Sequence, residues 1–215
     1  MPELLLPPTA PPAEIERLRS RLCLSPVLAT LLWQRGPRNP DEARRWLKAV
    51  PEDLEDPFQF RQMDRAVRRI RHALRKRERI LIHGDYDVDG LSATVLLLGF
   101  FRMLGAEVEY HIPARADGYS FSQASVDRIK AGGYKLCISV DNGTAAIEEI
   151  QEIQSLCCDV IVTDHHATGP RIAPAFAVLN PRLEDSGYPF PDLAGVGVAF
   201  KLAWAIGSSF SRRRM

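Results

Sequence analysis

The chain has 215 residues, enough for one sizeable domain or for one domain with a small appendage. Hydrophobic content of 46% and charged content of 26% are ordinary for a soluble globular protein, and a formal net charge of +1 by itself points to no partner. No run approaches the ~18 apolar residues of a membrane span, the first residues lack the basic segment of a signal peptide, and Cys23, Cys137, Cys157 and Cys158 form neither a zinc knuckle nor a disulfide framework, so a cytoplasmic protein with buried thiols and no membrane association is expected.

Residues 1–13 carry Pro2, Pro7, Pro8, Pro11 and Pro12 and are expected to form an irregular arm. Residues 14–33 follow as one or two short helices broken near Ser25-Pro26, and Arg35-Gly36-Pro37 interrupts the chain. Asp41 to Lys48 predicts a further helix, and the Pro- and acid-rich link from Pro51 to Pro57 marks a domain boundary. Residues 1–56 are thus an N-terminal arm and small helical appendage. Residues 61–77 form an amphipathic helix, with Met63, Ala66, Val67, Ile70, Ala73 and Leu74 at helical spacing. Its other face carries Arg61, Arg65, Arg68, Arg69, Arg71, Arg75, Lys76 and Arg77, which suits either a solvated face or a nucleic-acid contact.

Strands and helices then alternate. Strands are predicted at Arg79 to His83, Ala106 to Ile112, Lys135 to Val140, Asp159 to Thr163 and Phe176 to Leu179. Between and after them come helices at Leu91 to Leu104, Ser122 to Ala131, Ala145 to Leu156 and Gly197 to Ile206. This is an α/β pattern, a parallel β-sheet flanked by helices over residues 57–207, followed by an irregular basic tail at residues 208–215.

In such sheets, function collects at the carboxyl ends of the strands. The segments in that position are Gly84-Asp85-Tyr86-Asp87-Val88-Asp89-Gly90, Pro113 to Tyr119, Asp141-Asn142-Gly143, Asp164-His165-His166 and Asn180-Pro181-Arg182. Asp85, Asp87, Asp89, Asp141 and Asp164 would crowd five carboxylates onto one edge, which is costly unless cations or protons intervene. Carboxylates mixed with imidazoles suit Mn²⁺ or Mg²⁺, with Zn²⁺ or Fe as other candidates. So many donors exceed one ion's needs and suit two ions sharing a carboxylate, a device for hydrolysing phosphate esters.

Each motif alone has a duller reading. Asp85-x-Asp87-x-Asp89-Gly90 matches the start of an EF-hand loop, but the twelfth position is Leu96 rather than Glu, and a strand precedes it. Asp141-Asn142-Gly143 alone is a common turn. Asp164-His165-His166 alone suits a helix cap, and His83 suits an ordinary core histidine.

Together, in this order and spacing, they resemble the DHH family of phosphoesterases. Gly84 to Gly90 is similar to its motif I, Val140 to Gly143 to its motif II, and Asp164-His165-His166 is the triplet that names it. Asp56-Pro57-Phe58, Tyr188-Pro189-Phe190 and the segment from Ala194 to Lys201 are most similar to the family's single-strand-DNA exonucleases. The resemblance implies a processive 5′-to-3′ exonuclease on single-stranded DNA, serving repair and recombination, with single-strand-binding or other repair proteins as partners. It also implies Asp87, Asp89, Asp141 and His165 as metal ligands. Asp85, Asp164 and His166 join them as ligands or orienting groups, Asp85, Asp87 and His166 being the catalytic candidates, and His83 is a further metal candidate. Arg115 is expected to grip a phosphate. Gly195 and Gly197 precede a helix, where backbone N–H groups bind an anion or glycine allows tight packing.

Two other functions compete. One is hydrolysis of small nucleotide or pyrophosphate substrates. The other is a non-catalytic scaffold in a replication or repair complex, against which the retained acids weigh. Family members carry a further ligand Asp in a later motif, and a C-terminal substrate-binding domain. Neither has a counterpart here, so the chain is expected to be an incomplete catalytic half with impaired activity and a last helix that promotes association. Residues 118–121, Gly118-Tyr119-Ser120-Phe121, also depart from the family, where relatives usually have a second glycine.

Overall fold

The computed structural model describes residues 8–115 and 120–211. It divides into two units, Met1–Leu54 and Glu55–Met215, whereas the sequence reading places the boundary after residue 56.

The first unit holds helices α1 (Pro12–Leu22), α2 (Pro26–Gln34) and α3 (Pro40–Leu47). Each opens on proline, whose fixed φ suits the first helical turn and whose missing N–H would be unpaired there anyway. This is why α1 begins inside the stretch expected to be irregular. Ser25 and Asn39 cap α2 and α3 by accepting from the amides of Leu28, and of Asp41 and Glu42. Leu18, Ala29, Leu32, Trp33 and Ala43 form a small core.

The second unit runs α4 (Met63–Lys76), β1 (Ile80–His83), α5 (Val88–Met103), β2 (Val108–His111), α6 (Gln123–Gly132), β3 (Leu136–Val140), α7 (Ile147–Ser155), β4 (Asp159–Thr163), β5 (Ala177–Leu179) and α8 (Gly195–Ser211). The strands form one sheet in the order β2-β1-β3-β4-β5, every pair parallel. Strand side chains alternate between two cores, as a period of two requires. Ile80, Ile82, Leu136, Ile138, Ile161 and Leu179 meet α4, α5 and α8, while Leu81, Cys137, Val160, Val162 and Val178 meet α6 and α7. Burial on both faces explains why β1, β3 and β4 lack polar alternation. Edge strand β2 is half-exposed.

Two expectations need correcting. Residues 208–211 continue α8 instead of starting an irregular tail. Cys23 and Cys157 are exposed, at left-handed backbone positions that end helices, and only Cys137 and Cys158 are buried. Phe200 and Phe210 on α8 are also exposed. Among the described residues, no helix is long and apolar enough to cross a membrane.

The strand order fixes where a site can form. From β1 the chain moves outward to β2, then returns past β1 to β3 and continues the other way. The carboxyl ends of β1 and β3 therefore flank the point at which the winding reverses, where such sheets open a crevice.

Candidate metal centre

The loop leaving β1 brings the first acids into this crevice. Asp87 caps α5, its Oδ1 accepting from the amides of Asp89 at 2.9 Å and Gly90 at 3.0 Å. Those amides hold its carboxyl below the usual range. Gly90 packs so tightly on the loop that a Cβ there would lie 2.6 Å from the Asp85 Cβ. Asp85 is 2% exposed and its Oδ1 has no hydrogen-bond partner among the described residues.

Asp141 leaves β3 with φ of 63°, a left-handed conformation that Asp tolerates better than most residues. The turn is held by Asn142, whose side chain donates to the Val140 carbonyl, and by Ser139, whose hydroxyl donates to the Asn142 carbonyl at 2.8 Å. Asp141 is 1% exposed. Burial, then the neighbouring carboxylates of Asp89 and Asp87, push its pKa up to about 8.

The loop after β4 adds imidazoles. His165 Nε2 lies 3.1 Å from Asp141 Oδ1 and 3.5 Å from Asp89 Oδ2. His166 Nδ1 hydrogen-bonds Asp164 Oδ1 at 2.8 Å, which fixes the ring and raises its pKa. Two groups of donors result, Asp85 with Asp87 and Asp141, and Asp141 with His165 and His166. Within each group the donor atoms lie within 4.8 Å of one another. Asp141 belongs to both. Acids at this spacing, two of them buried and one of those with an orphaned oxygen, fit a divalent cation, and the mixed oxygen and nitrogen donors suit Mn²⁺ well.

Other predicted residues sit differently. Asp164 is saturated, accepting from Thr144 N at 3.0 Å, His165 N at 2.7 Å, His166 N at 3.2 Å and the His166 ring. Burial pushes its pKa up, but these bonds outweigh burial and hold it low. It orients the histidines and stands outside both donor groups. His83 is also outside them. It is fully buried, stacked 4.0 Å from Phe121, with Nε2 2.9 Å from Ser125 Oγ. Burial, and then His111, lower its pKa to about 3, which keeps it a neutral core histidine.

Asp89 holds the start of α8, its oxygens accepting from Gly195 N at 2.8 Å and Val196 N at 2.7 Å. Each oxygen retains lone pairs for a cation beside His165. The amides at this helix end are thus occupied by the protein's own Asp89. Gly195 and Gly197 are explained by packing, since a Cβ would lie 2.4 Å from Asp141 Oδ1 and 2.6 Å from Leu193 Cδ1 respectively. Arg115 sits over the ring of Tyr86, 5.0 Å from its centroid, at the rim of the motif I loop. The segment 116–119 beyond it, including half of the departure at residues 118–121, lies outside the described residues.

Sequence reasoning assigned no role to Asn180 or Thr144. Asn180 is fully buried after β5 and donates to the His166 carbonyl and to Thr144 Oγ1, both at 3.0 Å. It ties the loops after β3, β4 and β5 together. Its position at a strand's carboxyl end was the available signal.

A parallel α/β domain with acids and imidazoles converging at the reversal of its winding forms a candidate carboxylate–histidine metal centre. The chain belongs to the DHH family, whose N-terminal domain matches residues 79–214. It is 40% identical over 194 residues to the single-stranded-DNA-specific exonuclease RecJ of Bacillus subtilis, covering 90% of this chain and 25% of that protein. The Escherichia coli RecJ is 38% identical over 186 residues, covering 85% and 31%. Among solved structures, RecJ from Thermus thermophilus in complex with Mn²⁺ superposes with a TM-score of 0.72 and 30% identity, covering 94% of this chain and 28% of that one. Exonuclease RecJ bound to manganese gives 0.64 and 34%, covering 73% and 40%. The chain therefore spans about a quarter to a third of the length of the curated relatives named here.

Proposed function

We propose that this chain carries the metal-dependent catalytic half of a single-strand-DNA exonuclease that works 5′-to-3′ with two divalent cations, Mn²⁺ or Mg²⁺. The observation that carries the reading is the sharing of Asp141 between two groups of donors. The names of the relatives supply the substrate.

Asp85, Asp87 and Asp141 would hold one ion. Asp141, His165 and His166 would hold the other, with Asp89 beside it. Bound there, the ions supply Lewis-acid polarisation of a phosphodiester and an activated water. The chain's own groups prepare this chemistry. Asp164 fixes the His166 ring through Nδ1. Asn180 fixes the backbone of the same loop. Arg115, stacked on Tyr86, presents a guanidinium whose fork matches phosphate oxygens. Single-stranded DNA as substrate implies a cytoplasmic setting and contact with repair proteins.

The test is Mn²⁺-dependent release of nucleotides from 5′-labelled single-stranded DNA by the chain and by Asp87→Asn. Asparagine keeps an oxygen to cap α5 and removes the charge, so the variant should melt like the parent. Release by the parent, with a loss of at least about a hundredfold in the variant, is expected. Equal release by both would overturn the reading.

A further inference from the structure

The basic face of α4 is not spent on the metal centre, and the structure divides its residues into two kinds. Some are internal fasteners. Arg69 is largely buried, paired with Glu78 at 2.7 Å and with Asp159. Arg61, just before the helix, pairs with Asp185 at 3.2 Å on the surface. Others are not fasteners. Arg68 and Arg75 are exposed and have no ion-pair or hydrogen-bond partner among the described residues. With Arg71 they line one groove, together with Phe58 and with Ser209 in the last turn of α8. Arg71 is fixed there, donating to the Ser209 carbonyl at 3.0 Å and lying 5.3 Å from the centroid of the Phe210 ring. Asp64, the acid that lines the groove, makes no salt bridge among the described residues.

This arrangement has a cost. α4 carries six basic residues and one acid, and like charges three and four residues apart destabilise a helix. Residues 68, 71 and 75 follow that spacing along one side, advancing about 4.5 and 6 Å along the helix axis. The spacing is of the order of the ~3.4 Å axial rise per phosphate along one stacked strand. A net charge of only +1 means that this concentration of cations is local. α8 connects the groove to the metal centre, since its first turn is held by Asp89 and its last turn forms the groove wall. Fourteen residues separate Gly195 from Ser209, about 21 Å, or roughly six stacked nucleotides.

We propose that the groove between α4 and the end of α8 is a second, sequence-independent contact for single-stranded DNA, in which Arg68, Arg71 and Arg75 hold backbone phosphates away from the site of cleavage. The proposal rests on the exonuclease reading for its ligand but not on catalysis for its test.

The experiment measures binding of the full chain, without divalent metal, to oligothymidylates of about 5 and about 20 nucleotides at several salt concentrations. The parent is compared with the double variant Arg68→Gln/Arg75→Gln, which leaves Arg71 and its packing in place. The 20-mer is expected to bind about tenfold more weakly to the variant, with a salt slope shallower by about 1.4, and the 5-mer, short enough to lie in the groove alone, to weaken as well. Unchanged affinity and slope for the 20-mer, or no binding of it by the parent, would overturn the proposal. So would an equal loss for a polyaspartate peptide that the parent binds as tightly as DNA, since the surface would then read charge on a protein partner. Failure of the exonuclease reading alone would appear differently, as a 20-mer still bound through the groove but never cleaved when Mn²⁺ is added.

Discussion

Asp141 holds a proton that a cation must displace. Its pKa of about 8 means that in the metal-free chain at neutral pH the carboxyl is protonated, although an unfolded chain would ionise it. A raised carboxyl pKa stabilises the metal-free fold most at pH values below the ordinary carboxylate range, and that stabilisation is lost as pH rises through about 8. Mn²⁺ binding runs the other way. Its affinity is expected to rise as pH approaches about 8, with at least one proton released per centre near pH 7, from Asp141 and in part from His166, whose pKa is raised by its bond to Asp164. Calorimetry in buffers of different ionisation enthalpy measures that proton directly. Ser120 has φ of 71° and a buried hydroxyl without a partner among the described residues. Ser120→Gly should raise stability by about 1 kcal/mol in denaturant titration. At this scale the sequence showed which acids gather, because strand ends are legible from residue order. It did not show that Asp164 is saturated or that His83 is sealed under Phe121. Those facts depend on which backbone amides a turn aims inward, and motif spacing carries no such information.

α8 is the element whose placement was hardest to read. Its apolar stretch announced a helix, and the glycines at its start suggested either an anion site or close packing. In the structure the amides of its first turn donate to Asp89, and Gly195 leaves room for Asp141. Gly195→Ala would drive a Cβ toward Asp141 Oδ1, where only 2.4 Å is available. The helix or the carboxylate must move. A stability loss of about 1–3 kcal/mol and a fall in Mn²⁺ affinity of about tenfold or more are expected in melting and metal titrations. Strand boundaries were legible to within a few residues since apolar runs ended in polar loops. The start of α5 was missed because Val88, Asp89 and Gly90 read as loop until Asp87 is seen to cap them.

For the molecule as a whole, the alternation of strands and helices gave the parallel sheet, but not the order of its strands. That order decides which loops meet. With β1 and β3 adjacent at the reversal of winding, the motif I acids face Asp141, and β4 beside β3 brings in the histidines. If Asp141 joins two cation sites in one centre, Mn²⁺ itself reports on it. Titration of the chain with Mn²⁺, read by electron paramagnetic resonance, should show two ions bound with the signature of a magnetically coupled pair. Asp141→Asn, folded by circular dichroism, should lose the coupling and bind each remaining ion at least about tenfold more weakly. A single bound ion in the parent, or a coupled pair that survives in Asp141→Asn, would contradict the account.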